Sequence, residues 1–410
     1  MNALSELVKK SGIILVLNAG SSSIKFTLFM AEASASQPAL TLICDGQMAG
    51  IGHAIHFHAV DGKHQTLVDQ HLADGIDHDQ ALDLLLQWIT QHFSENTIVV
   101  AGHRVVHGGD LYTAPVVIDD AVITQLRRLI PLAPLHQPHH IAAMVALRKL
   151  YPNLVQIACF DTAFHHTNSK LVTNYAIPRE LTSEGVRRYG FHGLSYEYIA
   201  SVLPTVMDGK IANGKVIVAH LGAGASMCAI EKGKSVASTM GFTALDGLPM
   251  SRRCGNIDPG VVLYLMQAKN MTADQISHLL YNDCGMLGVS GVSDDMKTLL
   301  ASADPHAKEA IDLFVYRIAR ELGSLVAALG GVDALIFTAG IGEHAAPIRQ
   351  KVAALSAWLG IEIDAETNLA ADGNEPACLS SLEATVATWV IPTNEDLMIA
   401  QHTLRLFLSL

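Results

Sequence analysis

Ile13–Leu17 is an unbroken apolar run, Asn18–Ser23 is turn chemistry throughout, and Ile24, Phe26 and Leu28 then alternate with Lys25 and Thr27. A continuous run followed by a period of two predicts a buried strand, a tight turn and a half-buried strand. The same order returns in the second half of the chain: Val216–Ala219, a Gly-rich turn over His220–Ser226, then Met227–Ile230 closed by Lys232-Gly233. Ala334–Thr338 predicts a related strand that leads through Ala339–Glu343 into a helix. Strand–turn–strand units so far apart suggest a duplicated core with a site between its halves.

Helices lie between these units. Ile311, Phe314, Val315, Ile318, Leu322, Leu325 and Leu329 mark one helical face, and Gly330-Gly331 supplies the stop. Ile141–Leu150 predicts another helix, ended before Pro152. Thr393 is the expected cap of a last helix from Glu395 to about Leu408, with Asp396 placed as in a capping box. Pro204–Gly214 reads as a surface linker and Ala384–Ile391 as a strand. Strands and helices alternate, so the class is α/β.

A length of 410 residues predicts two or three domains. With 50% apolar and 16% charged residues the chain is not disordered, and a net charge of −12 argues against a sequence-independent nucleic-acid binder. A local pair of arginines can still hold an anion. The six cysteines form no CxxC pair, so zinc and redox dithiol sites are not suggested and a reducing, cytoplasmic setting is expected. Lys9-Lys10 ahead of Ile13–Leu17 resembles a short signal peptide, but the apolar run is too short and no A-x-A follows. No run is long enough to span a membrane.

Two motifs mislead. Gly209–Lys215 fits the opening of a P-loop, yet Val216 stands where a hydroxyl must meet Mg²⁺, and the motif precedes a strand. Gly340-Ile341-Gly342-Glu343-His344-Ala345 fits a dinucleotide fingerprint, with Glu362 downstream. Only one clear strand follows it, too few for a two-half Rossmann sheet, so an NAD-dependent dehydrogenase is kept as an alternative. A Gly turn opening a helix binds phosphate whichever nucleotide carries it. The histidine clusters His136/His139/His140 and His165/His166 show no ligand spacing beyond a pair that Pro138 is expected to interrupt, and His53, His56 and His58 read as surface.

The chemistry lies elsewhere. Asn18-Ala19-Gly20-Ser21-Ser22-Ser23-Ile24-Lys25 joins a closing Gly, hydroxyls and a cation in an anion-binding turn. Arg104 stands in a Gly-flanked segment after the strand Thr97–Ala101, and a fixed-charge guanidinium suits carboxylate or phosphate. Asp161 follows the strand Val155–Ala158, at the strand end where α/β sheets keep ligands. Arg187–Gly193 gathers cations, aromatics and His192; Ser251–Gly260 adds Arg252 and Arg253. Several arginines, a histidine, acids and phosphate loops point to phosphoryl transfer, where a protein mainly positions groups and neutralises charge.

In order along the chain, NAGSSSIKF, GHRVVHGG, PLHQP, FDTAFH, RRYGFHGLS, HLGAGAS, GFTALDGLPMSRRCG, GVSGVSDDM, FTAGIGEH and PTNED resemble the acetate kinase family of acetate and propionate kinases. The resemblance implies two duplicated ribonuclease-H-like domains of the acetate-and-sugar-kinase/actin/heat-shock-chaperone superfold with a cleft. Residues 1–165 plus 396–410 would form the first domain and 166–395 the nucleotide-binding and dimerising second. It further implies a cytoplasmic homodimer that phosphorylates acetate, or another short-chain carboxylate, with ATP and Mg²⁺ (or Mn²⁺). Asn18, Ser21, Ser23 and Lys25 would line the phosphate path, with Asn18 and Glu395 near the metal. Arg104 and Arg253 would hold carboxylate and phosphoryl, His192 would donate to phosphoryl oxygens, and Asp161 would organise the metal or nucleophile. His220, Gly222, Gly224, Asp295, Met296, Lys297, Gly340, Ile341, Gly342, Glu343 and His344 would contact the nucleotide. Val106, Leu135, Phe191 and Ala244 would hold the acid's alkyl end.

The sequence departs from the family pattern at Ala223, Lys297, His344 and Gln137, which leaves the phosphoryl donor less defined than the reaction. An actin- or chaperone-like ATPase switch shares the superfold; the Arg104/Arg253 pair favours the kinase, since a pure ATPase needs no carboxylate clamp. Val106 is the branched residue that resembles acetate-preferring members.

Overall fold

The computed structural model describes residues 12–20, 22–32 and 39–410, so Lys9-Lys10 lies outside the described residues. The chain divides into two compact units, one running to Ala163 and taking in Asn394–Leu410, the other Phe164–Thr393.

In the first unit β1 (Gly12–Ala19) turns back antiparallel into β2 (Ser23–Glu32), with Asn18 opposite Lys25. β3 (Ala39–Ala49), β4 (His56–Asp61) and β5 (Thr66–His71) continue antiparallel on the β2 side. β6 (Thr97–Val105) runs parallel to β1 on its other side; β7 (Val116–Val117) and β8 (Val155–Phe160) complete the order β5-β4-β3-β2-β1-β6-β8-β7. In the second unit β9 (Lys215–Leu221), β10 (Ala225–Glu231) and β11 (Lys234–Ser238) are antiparallel. β12 (Ala334–Thr338), β13 (Ala377–Cys378) and β14 (Ala387–Val390) give the order β11-β10-β9-β12-β14-β13. Three antiparallel strands followed by two parallel ones recur as β3-β2-β1-β6-β8 and β11-β10-β9-β12-β14, which is the duplication that the hydrophobic pattern suggested.

Both faces of each sheet are covered, which explains the continuous apolar runs. In the second unit Ile217 and Ala219 meet Phe314, Ile318 and Leu322 of the helix Pro305–Leu329, while Val216 and Val218 meet Tyr196, Ile199 and Leu203 of the helix Gly193–Val206. Truncating a fully buried ring such as Phe314 is expected to cost about 3–5 kcal/mol. In the first unit the helices His78–His92 and Gln137–Leu150 bury Leu85, Leu86 and Leu147 on one face. The last helix, Glu395–Leu408, packs on β6 at Gly102, where a Cβ would come within 2.3 Å of Thr403 Oγ1 and 2.8 Å of Ile399 Cγ2. That close approach returns the C-terminal segment to the first unit.

Local expectations needed correction. Pro204 stands in the last turn of Gly193–Val206, and Gly209–Ala212 is a short helix capped by Asp208, so the expected linker is mostly helical. Pro138 does not interrupt a helix: it opens Gln137–Leu150, where a missing N–H costs nothing. The last helix is capped by Asn394, whose side chain accepts from Leu397 N at 2.9 Å, and not by Thr393. The strand expected at Ala384–Ile391 shortens to Ala387–Val390 because Thr385 N and Val386 N donate to Gly360 O. His56 and His58 belong to β4; His56 bonds Asp69 at 2.6 Å and stacks on His71. No described helix is long and apolar enough to cross a membrane.

Candidate active site

In the first unit Arg104 and Asp161 sit at the C-terminal ends of the adjacent parallel strands β6 and β8. Arg104 donates from Nε to Asp161 Oδ1 at 3.2 Å and from Nη2 to Oδ2 at 2.7 Å. Glu395, at the start of the last helix, brings Oε2 to 3.8 Å from Arg104 Nε. Burial works hardest against the Arg104 charge, but Asp161 and Glu395 together outweigh it and hold the pKa above its usual value. Burial pushes the Glu395 carboxyl up; Arg104 opposes this and Asp396 adds to it. Val106 is buried, and its N–H donates to His140 Nδ1 at 3.2 Å. His140 is kept neutral by burial and then by Arg104. Leu135 is exposed. Asn18 and Lys25 face each other at the β1–β2 turn, Gly20 N donates to Ser23 O at 2.7 Å, and Ser21 lies outside the described residues.

In the second unit His192 takes a left-handed φ of 57° to open the helix Gly193–Val206. Its ring stacks on His220 with centroids 4.2 Å apart. Arg253 donates from Nη1 to Ala244 O at 2.7 Å. A Cβ on Gly224 would lie 2.9 Å from Arg253 Nη2 and 3.2 Å from His192 Nε2, so glycine is what lets those two groups converge there. Gly222 N donates to Gly224 O at 3.1 Å, Phe191 is buried and Ala244 packs against the core.

The segment expected as a glycine turn at Gly340–Glu343 is instead a short helix, Ala339–His344, containing Gly340, Ile341 and Gly342. Glu343 Oε1 accepts from Ala339 N at 2.7 Å and from Thr393 N at 3.0 Å, which fixes the positive φ of Ala339 at its start. Asp295 caps Met296–Ala301 by accepting from Thr298, Met296 is buried in the core, and Lys297 is exposed. Among the described residues no three His, Cys, Asp or Glu side chains are gathered as a metal cluster.

Residues 13–401 match the profile described as the Acetokinase family. The chain belongs to the acetokinase family. It is 58% identical over 396 residues to the acetate kinase of Rhodopseudomonas palustris, covering 97% of this chain and 98% of that protein. It is 48% identical to the acetate kinase of Methylocella silvestris, over 97% of this chain and 98% of that protein. Among solved structures, a propionate kinase from Francisella tularensis superposes with a TM-score of 0.86 at 35% identity, over 96% of this chain and 99% of that one. Porphyromonas gingivalis acetate kinase gives 0.83 at 34%, with 96% and 99% covered. The fold is that of these acetate and propionate kinases, the duplicated α/β superfold.

Within this acetokinase the departures from the family pattern have definite places. Ala223 is exposed, and its carbonyl accepts from Ser251 N at 3.2 Å. His344 Nδ1 lies 2.6 Å from Asp372 O. Gln137 is buried and donates to His107 O at 3.1 Å. Sequence reasoning missed Arg349, which is fully buried and donates to Gly342 O, Glu343 O, Asn368 Oδ1, Asn368 O and Ala371 O, anchoring the helix Ala339–His344 from behind. Burial lowers its pKa to about 10. The signal available was an arginine between Ile348 and Val352 on an apolar helix face.

Proposed function

We propose that this acetokinase is an ATP-dependent acetate kinase, which moves the γ-phosphoryl group of ATP reversibly to the carboxylate of acetate; propionate is the alternative acid. The observation that carries the reading is the doubly bonded Arg104–Asp161 pair. A guanidinium fixed along one edge presents its remaining edge to a second carboxylate, which an ATPase switch has no need to hold. Both Asp161 oxygens are engaged by Arg104, so Asp161 orients and does not take a proton. None is required: a carboxylate is ionised at neutral pH and attacks phosphorus directly and in line. Arg253 and His192 meet the charge that spreads over the phosphoryl oxygens in the transition state.

A divalent cation, Mg²⁺ or Mn²⁺, fits the oxygen donors Asn18 and Glu395. The contact of Glu395 with Arg104 is long, at 3.8 Å, and burial disfavours its charge, so a nearby cation relieves that cost. Mg²⁺ keeps several waters and needs few side chains; bound here, it would neutralise phosphate charge. Nucleotide contacts are expected from His220, Gly222, Gly224 and the backbone of Ala339–His344, and acid contacts from Arg104, Val106, Leu135, Phe191 and Ala244. A homodimer is supported by the helix Pro259–Gln267, which buries no residue although Val261, Leu263, Tyr264 and Met266 are apolar. Free cysteines, with the buried Cys44 and Cys228 thiols pushed up to about 12 by burial, suit a reducing cytoplasm.

Trapping the acyl phosphate as hydroxamate, with acetate, propionate and butyrate in parallel, tests the reading. Product with acetate is expected. No product with any acid, alongside acid-independent ATP hydrolysis, would overturn it in favour of the switch; a nicotinamide absorbance change would favour the dehydrogenase.

A further inference from the structure

Ser195 and Tyr196, consecutive in the first turns of the helix Gly193–Val206, each belong to a chain of hydroxyls that ends on an imidazole. Ser195 Oγ lies 2.8 Å from Thr393 Oγ1 and 2.8 Å from His220 Nδ1. Tyr196 Oη bonds Ser226 Oγ, which lies 2.8 Å from His192 Nδ1. The two imidazoles are stacked, with 21° between their planes, and both are buried. Arg253 Nη2 and His192 Nε2 converge over Gly224. Stacked rings beside a guanidinium resist taking further positive charge, which favours neutral imidazoles. A neutral imidazole carries one N–H, and the bond made by one nitrogen decides which. A phenol is a stronger acid than an alcohol, which favours donation from Tyr196 to Ser226 and leaves the Ser226 proton to point at His192 Nδ1.

We propose that Tyr196 and Ser226 are positioning residues that fix His192 as the Nε2–H tautomer, and that Thr393 and Ser195 do the same for His220. The inference rests on the acyl kinase reading, in which a histidine Nε2–H donates to a phosphoryl oxygen. With the proton on Nδ1 the ring would offer that oxygen a lone pair and repel it. The relays thereby make residues that touch no substrate necessary to the rate. Thr393 also ties His220 to the nucleotide segment, because its own N–H is held by Glu343.

The test is ¹⁵N NMR of the full chain carrying ring-labelled histidine, with His192→Gln and His220→Gln for assignment. The expected spectrum shows both rings neutral and protonated at Nε2. Tyr196→Phe should shift His192 alone toward Nδ1–H, and Thr393→Val should shift His220 alone. Each should lower kcat by on the order of tenfold to a hundredfold, as outer-shell partners of histidine do elsewhere, with little change in KM for ATP. Ser226→Thr should restore what Ser226→Ala loses. If the alanine variant does not fold, Tyr196→Phe preserves volume and still decides. Nδ1–H or imidazolium rings in the unmutated protein, or a Tyr196→Phe protein with unchanged tautomer and kcat, overturns the inference. Nε2–H rings in a protein that makes no acyl phosphate would overturn the kinase reading and leave the tautomer assignment standing.

Discussion

Arg104 meets Asp161 through both carboxylate oxygens, at 3.2 and 2.7 Å, and the acid is 1% exposed. A pair this buried is strongly destabilised by removal of one member, because the other charge is left uncompensated. Asp161→Ala is expected to cost about 3–5 kcal/mol of stability, read by urea unfolding. Asp161→Asn keeps the shape, frees Arg104 to turn toward Glu395, and should raise the KM for acetate more than the KM for ATP. A loss confined to kcat would make Asp161 a proton acceptor instead of an orienting group.

Arg253 bonds its own unit through Nη1 to Ala244 O, while Nη2 is directed over Gly224. If it meets charge that develops only in the transition state, Arg253→Ala lowers kcat by on the order of 10³-fold, as arginine fingers do, and changes the KM for ATP much less. A rise in KM at unchanged kcat would assign it to ground-state binding.

The strands and the duplication were legible because a buried run and an alternating strand leave periodic marks: Ile13–Leu17 and Val216–Ala219 became β1 and β9. Arg104 and Asp161 stood out as charges at strand ends, and the structure brings them together. Other features carry no local mark. Gly102 looks like any strand glycine until Thr403 packs on it. Thr393 is the cap expected from the sequence, but its hydroxyl is drawn to Ser195 and its N–H to Glu343, and Asn394 caps the helix instead. Arg349 is marked only by its apolar helix neighbours Ile348 and Val352, and the Asn368–Ala371 segment that accepts its hydrogen bonds returns from further along the chain. Ser195 and Ser226 are small hydroxyls whose partners lie on distant segments.

Acid should unfold the protein from near neutrality downward. Burial lowers the pKa values of His103, His107 and His165 from 6.5 to about 4. Between those values the unfolded chain binds protons that the folded chain refuses. Stability is therefore complete above about 6.5, falls as the pH drops toward 4, and loses this dependence below it. Each such histidine contributes a slope of at most about 1.4 kcal/mol per pH unit. Urea midpoints should decline from pH 7 to pH 5; a flat profile would show that these rings take up protons in the native state as readily as in the unfolded chain.

The exposed helix Pro259–Gln267 has Leu263 and Tyr264 each 54% exposed. If a second copy covers it, the unmutated protein should elute at twice the chain mass in light scattering. Leu263→Glu should yield monomer without loss of helical signal. A monomeric unmutated protein would reject the homodimer.

The acid preference turns on Val106. Its side chain is buried, and its backbone is pinned by the bond from its N–H to His140 Nδ1, so shortening the side chain should leave the segment in place. One methylene in an apolar pocket discriminates by only about 1–3 kcal/mol, so acetate and propionate should both be used. Acetate should come first in kcat/KM, propionate second and butyrate poor. Val106→Ala removes two methyl groups and should move the preference toward propionate by up to about tenfold, with the KM for ATP unchanged. His140→Phe would be the contrasting variant. It leaves Val106 N–H without its acceptor, costs about 1–3 kcal/mol of stability, and should weaken all acids alike. An unmutated protein that already prefers propionate in kcat/KM would mean that Ala244 sets the acid size and Val106 does not.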